Sequence, residues 1–188
     1  VPGSQNNFKI TTAQDYERAK RIASMLIENV KQETHSGTGF DVHAFRDKKS
    51  GENNLIRIGG IDVKHSKKIE AHSDGDVAIH ALIDAILGAI GEGDIGEHFP
   101  PSDDKWKDFD SREMLKIIRQ LLVKKGAKIL NLDLTIICQE PKISDYKSDI
   151  KKELSRLLNI PSAKVNIKAT TTENLGFLGR KEGIACQA

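Results

Sequence analysis

Cysteine is scarce in this chain of 188 residues, and its scarcity excludes a disulfide framework. The two cysteines, Cys138 and Cys186, lie in apolar, strand-like segments that are far apart in the sequence. They provide neither a pairing pattern nor the spacing of a cysteine-ligated metal site. We therefore expect both to be reduced residues of the protein core.

Long apolar runs and an excess of charge of one sign are also missing. No apolar stretch approaches the roughly 20 residues that cross a bilayer, and the amino end lacks the charged and apolar regions of a signal peptide. The formal net charge is +2 and aromatic residues make up only 5% of the chain, which argues against a nucleic-acid-binding protein. The sequence predicts a cytoplasmic protein without a membrane or nucleic-acid partner, and small anionic molecules remain candidate ligands.

Hydrophobic residues make up 38% of the chain and follow helical and strand periodicities. The length is sufficient for one well-filled domain. The predicted elements are strands over 36–45, 127–139 and 165–169, a last strand at the end of the chain, a bent strand or hairpin over 55–63, and helices over 74–90, from 110 or 111 to 126, and over 144–158. This order predicts an α+β fold in which helices cover one face of a mixed four-stranded sheet.

Two residues of the first predicted strand have side chains that can bind a metal ion. The segment 36–45 contains Phe40 and Val42 and is flanked by glycines and turn residues, a pattern typical of a strand. Asp41 and His43 are two residues apart, so both side chains project from the same face of that strand.

His80 is the candidate third ligand. Apolar residues recur at helical spacing from Asp74 to Ile90, and Ser73 with Asp76 three residues later resembles a capping box. His80 would then lie one turn into this helix, at the edge of its apolar face. Two nitrogens and one carboxylate oxygen, with a fourth tetrahedral position open, form the arrangement of a catalytic zinc. Taken alone, however, an Asp-x-His pair and a helical histidine are more often packed or solvated residues than ligands.

The other sequence motifs of the chain indicate its function more specifically than the triad does. Five segments occur in a fixed order, namely GTGFDVHAF (37–45), AHSDGDVAIH (71–80), GDIG (93–96) with Phe99–Pro100, DSR (110–112) and KATTTENLGFLGR (168–180). They resemble the signature blocks of 2-C-methyl-D-erythritol 2,4-cyclodiphosphate synthases, from about Ser36 to the end of the chain. The resemblance implies conversion of 4-diphosphocytidyl-2-C-methyl-D-erythritol 2-phosphate into the cyclic diphosphate with release of CMP, in non-mevalonate isoprenoid synthesis.

The resemblance also implies a set of metal ligands and catalytic residues. Zn²⁺ would be bound by Asp41, His43 and His80, and a second divalent ion, Mg²⁺ or Mn²⁺, would bridge the diphosphate with help from Glu173. The implied catalytic residues are His72, Thr171 and Glu173. Because the substrate's own 2-phosphate attacks the β-phosphorus, the protein positions and neutralises two anions and supplies no nucleophile.

Further residues are implied to bind the substrate. His72 and Ser73 would meet the methylerythritol phosphate at a helix start, and the loop 141–144 would read the cytosine edge. Simpler interpretations stay open, since Ser73 can be a plain helix cap, Asp94 a solvated carboxylate and Lys142 a surface charge. The implied substrate-binding residues are His72, Ser73, Asp94, Ile95, Gly96, Phe99, Pro141, Lys142, Ile143, Ser144, Thr170, Thr171, Thr172, Glu173, Phe177 and Arg180.

A homotrimer is a further implication of the resemblance. Sheets of three chains packed around a three-fold axis would cover the sheet face that the helices leave open. In that assembly we expect composite sites, with the metal triad from one subunit and the cytidine loop from its neighbour.

The first 35 residues lie outside this resemblance. The helical pattern from Asp15 to Val30 resembles the carboxyl end of 4-diphosphocytidyl-2-C-methyl-D-erythritol cytidylyltransferase, which is fused to the cyclase in some bifunctional proteins. An unrelated helical extension or linker is the alternative. The domain prediction is therefore a tail over 1–35 without cytidylyltransferase activity of its own, followed by a cyclodiphosphate synthase domain over 36–188.

Two other functions use parts of the same pattern. A non-catalytic trimeric sensor of similar build would bind a nucleotide between subunits without zinc or turnover. A zinc phosphoesterase would use the triad to activate water and would release a linear product. Neither explains why the triad, the threonine-glutamate run and the GDIG loop occur together.

Overall fold

The computed structural model of the protein describes residues 9–28 and 33–188 and divides the chain into two compact units, Val1–Thr34 and His35–Ala188. In the first unit, helix α1 spans Ala13–Glu28. It begins with a reciprocal cap, because Asp15 N donates to Thr12 Oγ1 at 3.1 Å and Thr12 N donates to Asp15 Oδ2 at 2.9 Å. The predicted helix end at Val30 lies outside the described residues.

The second unit contains a mixed sheet, a separate hairpin and a set of helices, and the predicted α+β class is confirmed. No helix in the described part of the chain combines the length and apolar character needed to cross a membrane. The elements of this unit are β1 Phe40–Arg46, β2 Leu55–Ile58, β3 Ile61–Lys64, β4 Lys68–Ile69, α2 Val77–Ile90, α3 Ile95–His98, α4 Ser111–Lys124, β5 Leu132–Ile137, α5 Lys147–Leu158, β6 Val165–Thr170, α6 Gly176–Gly179 and β7 Gly183–Gln187.

The sheet has the strand order β4-β1-β7-β5-β6, with β5 and β6 parallel and the other neighbours antiparallel. It therefore has five strands where the sequence predicts four. The additional strand is β4, which pairs two residues with the end of β1 and is too short to have a periodic signature. Strands β2 and β3 form the predicted hairpin around Gly59–Gly60.

The sheet buries one face against helices, and the other face is exposed along β1. Along β5 and β6 the residues Leu134, Ile136 and Ile167 are buried on the side that packs against helices α2 and α5. On the opposite side of β1, Phe40 is 57% exposed and Val42 is 40% exposed. This alternation follows from the two-residue period of a strand and places Asp41 and His43 on the helix side.

Two element boundaries differ from the predictions for local reasons. The predicted strand 127–139 is paired only from Leu132, because β6 begins opposite that residue and residues 127–131 have no neighbouring strand. The third predicted helix starts at Lys147 instead of Ser144, since Ile143–Asp145 form a 3-10 turn. It ends at Leu158, where Asn159 adopts a left-handed conformation with φ 55°, before Pro161 is reached.

The start of α2 also differs from the prediction. Gly75 has φ 72°, which a right-handed helix cannot accommodate, so the helix starts at Val77 with Asp76 as its cap and not at Asp74 with Ser73. The buried Asp76 carboxylate accepts hydrogen bonds from Ala78 N at 3.1 Å and Ile79 N at 3.0 Å. The same carboxylate accepts from Gly59 N at 2.7 Å and Gly60 N at 2.6 Å. One side chain therefore joins the hairpin turn to the helix.

The segment before β1 lies directly on the backbone of α2. A Cβ atom added at Gly39 would be 2.0 Å from the Ala81 carbonyl oxygen, and one added at Gly37 would be 2.0 Å from that of Ala85. Gly39 also exchanges backbone hydrogen bonds of 3.0 and 2.9 Å with Ala188 at the end of β7. The two glycines thus allow β1 to enter the sheet in contact with the helix that carries His80.

We expect Gly39→Ala to destabilise the protein by about 2–4 kcal/mol, because the new methyl group cannot fit against a backbone oxygen. The free energy of unfolding, measured by urea titration, tests this. The matched control is Gly88→Ala in α2, where the added atom would meet only Thr38 O at 4.0 Å and helix propensity favours alanine. Equal stability of the two variants would contradict the close approach.

Candidate metal centre

Three ligand atoms of Asp41, His43 and His80 converge at one point of the second unit. His43 Nε2 lies 2.9 Å from Asp41 Oδ2, and His80 Nδ1 lies 3.0 Å from the same oxygen. The two ring nitrogens are 3.2 Å apart. All three atoms fall within 4.8 Å of one another, so a single cation can contact them together.

Two elements bring these side chains together. β1 directs Asp41 and His43 toward α2, and His80 is the fourth residue of that helix. Asp76 fixes the first turn of α2, while Gly39 places β1 against the helix backbone. The predicted strand-plus-helix geometry of the triad is therefore present in the structure.

The electrostatics of the triad are those of a carboxylate between two imidazoles. Burial alone would raise the pKa of Asp41, but hydrogen bonds and charge from His43 and His80 hold it well below its usual range. Burial would lower the pKa of His80, yet the hydrogen bond to Asp41 and the charges of Asp41, Asp76 and Asp74 raise it. The three groups thus attract a positive charge between them.

The donor set fits a divalent metal ion. Two imidazole nitrogens and one carboxylate oxygen are the ligand types that zinc and its first-row neighbours accept. The His80 side chain is 11% exposed, whereas the Asp41 and His43 side chains are 23% and 18% exposed. The outer side of the triad therefore remains open for a ligand oxygen.

The far side of the His80 ring contacts Ser73, which the resemblance implies as a substrate-binding residue, and Ser111, which is not among the predicted site residues. His80 Nε2 lies 2.8 Å from Ser111 Oγ and 3.3 Å from Ser73 Oγ. Ser111 Oγ donates to Asp74 Oδ1, and Ser111 N donates to Asp74 Oδ2 at 3.2 Å. Ser111 is fully buried at the start of α4. Its place in the DSR segment gives no sign that it faces a histidine 31 positions earlier.

Asp84 connects the GDIG loop to the triad helix. It lies one turn after His80, and its Oδ1 accepts a 2.8 Å hydrogen bond from Ile95 N. Burial raises the pKa of Asp84, the Ile95 hydrogen bond opposes this, and the charges of Asp94 and Asp41 raise it further. A lone carboxylate in an otherwise apolar helix was the available signal for this residue.

The predicted sugar-phosphate residues lie around the two ends of α2. His72 is exposed, and its carbonyl accepts a 2.9 Å bond from Asp108 N. Asp94 is exposed and caps α3, accepting from Glu97 N at 3.0 Å, with Gly96 exposed in the first turn. Phe99 is buried against Trp106 at 4.9 Å between ring centroids, so it belongs to the core as well as to this loop.

The threonine-glutamate run forms a tight loop after β6. Thr171 Oγ1 donates to Glu173 Oε1 at 2.9 Å and accepts from Glu173 N at 3.3 Å. Thr172 Oγ1 donates to Leu175 O at 2.7 Å, and Thr170 Oγ1 donates to Thr171 O at 3.1 Å. Glu173 has φ 51°, an uncommon conformation for a residue with a side chain. The loop is thus held in shape by its own hydroxyl groups.

The predicted cytosine loop adjoins this run at the ends of the parallel strands β5 and β6. Cys138 N donates to Thr170 O at 3.1 Å, and Gln139 Nε2 donates to Asn174 Oδ1 at 2.7 Å. The bond before Pro141 is cis. Lys142 and Ser144 are exposed and Ile143 is buried. A cavity of about 310 Å³ opens beside the loop, lined by Lys64, His65, Ser66, Glu140, Pro141, Lys142, Asp145 and Tyr146.

Phe177 and Arg180 lie in and after the short helix α6. Phe177 is 47% exposed. Arg180 forms a two-pronged pair with Glu182, with bonds of 2.9 and 3.0 Å. The guanidinium is therefore already balanced by a carboxylate in the same chain.

The predicted site residues thus form two separate groups, one around the triad and one around the loops that follow β5 and β6. Asp41 is aligned across the sheet with Cys186, Ile136 and Ala169. Three strand spacings separate the ends of that row, roughly 14 Å. Within one chain, the run that starts at Thr170 therefore lies near the β6 edge of the sheet, three strands away from the β1 residues of the triad.

Comparisons with known proteins give matches over most of the chain. The model of the YgbB family matches residues 34–188. The chain is 50% identical over 188 residues to the bifunctional enzyme IspD/IspF of Wolbachia pipientis wMel, covering 100% of this chain and 46% of the relative. It is 44% identical over 187 residues to that of Bradyrhizobium diazoefficiens, covering 99% and 44%. The chain spans about half the length of these curated relatives.

Solved structures resemble the protein as well. The Plasmodium falciparum IspF solved as a CDP complex is 35% identical, with a TM-score of 0.70 over 81% of this chain and 91% of that one. The bifunctional IspDF of Campylobacter jejuni is also 35% identical, with a TM-score of 0.74 over 100% of this chain and 48% of that one.

We expect the triad to bind about one Zn²⁺ ion per chain. His43→Ala and Asp41→Ala should each abolish stoichiometric binding, because two ligands do not hold the ion against water. Metal content after dialysis, measured by mass spectrometry, tests this. The control is His98→Ala, which removes a ring that contacts only the Glu92 carbonyl at 2.8 Å among its described hydrogen bonds. Retention of zinc by His43→Ala would contradict the assignment.

The metal-free triad should also give a specific pH dependence of stability. The lowered pKa of Asp41 contributes stability that is present above the ordinary value of 3.8 and is lost as the pH falls through the folded-state pKa. The raised pKa of His80 contributes stability that is present below 6.5 and is lost as the pH rises through the folded-state pKa. Asp41→Asn should therefore destabilise the chelator-treated protein more at about pH 6 than at about pH 9. Urea titrations at both pH values measure this difference, and an equal effect would contradict the charge pairing.

Proposed function

Because the chain belongs to the YgbB family, we propose that it converts 4-diphosphocytidyl-2-C-methyl-D-erythritol 2-phosphate into 2-C-methyl-D-erythritol 2,4-cyclodiphosphate and CMP. The observation that carries this proposal is the convergence of Asp41, His43 and His80 in a chain that matches the family over 34–188. The reaction belongs to non-mevalonate isoprenoid synthesis, and the enzyme is a phosphorus-oxygen lyase that closes a ring.

The chemistry needs no protein nucleophile. An oxygen of the substrate's 2-phosphate forms a bond to the β-phosphorus, and the bond from that phosphorus to the oxygen of the CMP group breaks. CMP leaves with the electron pair, so charge and atoms balance without an oxidant, a reductant or water. The barrier comes from bringing two anions together and from the charge that develops on the leaving phosphate.

The triad residues would hold Zn²⁺, which when bound neutralises and polarises a phosphate oxygen. Asp41, His43 and His80 leave one side open, so the β-phosphate can approach between β1 and α2. His72 and Ser73 precede this helix and are proposed to orient the 2-phosphate. Asp94 is proposed to accept hydrogen bonds from the erythritol hydroxyls, with its loop held to the triad helix through Asp84.

The loop 170–173 is proposed to act on the diphosphate. The Thr171 and Thr172 hydroxyls donate to Glu173 Oε1 and Leu175 O and hold the loop in shape. A phosphate would receive either hydroxyl proton by displacing that internal acceptor, and little further ordering of the loop would be needed. Glu173 offers hard oxygen ligands that suit Mg²⁺ or Mn²⁺. Thr171 and Glu173 are therefore the proposed catalytic pair at this end of the substrate, with Phe177 and Arg180 farther along the same segment.

The loop 141–144 is proposed to bind cytosine, next to the phosphate-binding threonines. Its contacts with the Thr170 and Asn174 segment support one continuous surface for a CDP group. The Plasmodium falciparum relative, solved as a CDP complex, is similar over 81% of this chain. A cytidine nucleotide is thus the proposed ligand class of this surface.

We also propose a homotrimer with composite active sites. The separation of roughly 14 Å between the triad row and the threonine loop within one chain favours a neighbouring subunit as the source of the second half. The exposed Phe40 and Val42 give the open sheet face an apolar character suited to subunit packing.

We propose that the first unit comes from a longer, bifunctional protein. Residues 1–33 lie outside the family match, yet the alignments to bifunctional IspD/IspF relatives cover nearly the whole chain. We propose that residues 1–35 are the end of a cytidylyltransferase domain, and that the full-length protein also carries 2-C-methyl-D-erythritol 4-phosphate cytidylyltransferase activity.

Turnover of the diphosphocytidyl substrate with Zn²⁺ and Mg²⁺ tests the proposed reaction. The parent chain should release CMP together with a cyclic product in the ³¹P spectrum, and His43→Ala should be slower by at least about 100-fold because the β-phosphate loses its electrostatic partner. His98→Ala again serves as the control.

Other products would contradict the cyclase reaction. CMP with a linear diphosphate would identify a zinc phosphoesterase. Tight nucleotide binding with neither product would identify a nucleotide sensor.

A further inference from the structure

The two ring nitrogens of His80, Nδ1 and Nε2, have different surroundings in the structure. Nδ1 faces the Asp41 carboxylate and His43, at 3.0 and 3.2 Å. Nε2 points into the protein, where the nearest polar atom is Ser111 Oγ at 2.8 Å. Ser111 is fully buried and His80 is 8% exposed, so water competes little for this contact.

In the contact between His80 and Ser111, the serine oxygen is the acceptor. A serine hydroxyl carries one proton. Ser111 Oγ donates that proton to Asp74 Oδ1, and the other Asp74 oxygen accepts from Ser111 N at 3.2 Å. The lone pairs of Ser111 Oγ therefore face His80, and the bond forms only if His80 Nε2 carries a hydrogen and donates it.

A hydrogen on Nε2 leaves the lone pair of the neutral ring on Nδ1, at the nitrogen that faces the triad. We propose that Asp74 and Ser111 are positioning residues that fix His80 as an Nδ1 ligand of the metal ion. The inference rests on the metal centre of the proposed function. It adds two residues that act on the metal centre through His80.

Ser73 cannot replace Ser111 in this role. Its Oγ is farther from His80 Nε2, at 3.3 Å, and also accepts a 3.3 Å hydrogen bond from Gly75 N. It has no described carboxylate partner that would direct its proton away from the ring. Ser111 has such a partner, and its position at the first residue of α4 connects that helix to the metal centre.

Ser111→Ala should weaken Zn²⁺ binding by about 10–100-fold, the usual effect of removing the outer hydrogen bond of a metal-bound histidine. Competition of the purified protein with a chromophoric chelator measures the zinc affinity. Asp74→Asn is a second variant, because its amide oxygen can still accept from Ser111 while the charge is lost, and a smaller loss of affinity is expected. Ser155→Ala is the matched control, since Ser155 Oγ makes a 2.6 Å bond to Ile160 O in α5.

A second readout separates positioning from general loss of structure. Long-range ¹H–¹⁵N NMR of the ring nitrogens reports which nitrogen of His80 carries the hydrogen and which binds zinc. The parent should show Nε2–H with zinc at Nδ1, and Ser111→Ala should show partial or altered ligation. Ser111→Thr, which keeps the hydroxyl, should restore both the affinity and the spectrum.

The outcomes distinguish this inference from the proposed function. If the parent chain binds no zinc, the metal centre itself is wrong and both fall. If the parent binds zinc while Ser111→Ala and Asp74→Asn bind it equally well with an unchanged His80 spectrum, only the positioning role is overturned. Loss of affinity in Ser155→Ala to the same extent would also overturn it, because the effect would then follow from stability alone.

Discussion

The rest of the structure depends on the hydrogen bonds of the Asp76 carboxylate. Burial and the nearby charge of Asp74 raise its pKa, against the backbone donors that lower it. Such a group is tolerated in a core only when its acceptor sites are satisfied, and here four backbone N–H groups satisfy them. Two come from the hairpin turn and two from the first turn of α2. The carboxylate thereby sets where α2 begins, and with it where His80 lies.

The site residues that could be predicted from the sequence are polar side chains in a strand or helix that is otherwise mostly apolar. Two polar residues on one face of β1 and a histidine in an apolar helix predicted the triad, and the structure brings all three together. Asp74 and Ser111 were not predicted, because their partnership joins positions 37 apart and each alone is an ordinary turn or helix-cap residue. The five-strand sheet was missed for a similar reason, since the two residues of β4 become a strand only by pairing with β1.

The two groups of site residues follow from the topology of the sheet. The triad depends on β1 and α2, and the loops proposed to bind phosphate and cytosine follow the parallel strands β5 and β6, with β7 between β1 and β5. Each loop is ordered by bonds within its own chain, such as those of Thr171 and Gln139. A substrate with a sugar phosphate at one end and a cytidine at the other matches this division into separate, preset surfaces.

The close packing of Gly39 on α2 has a consequence for how the sequence can vary. The atom that a larger side chain would strike is the carbonyl oxygen of Ala81, and the equivalent atom at Gly37 is that of Ala85. Every residue carries such an oxygen, so no substitution in α2 removes the obstacle. Steric clashes between side chains can be relieved by a second mutation that makes the partner smaller, but this one cannot. The two glycines are therefore closed to compensatory evolution from the helix they contact, whatever residues that helix comes to contain.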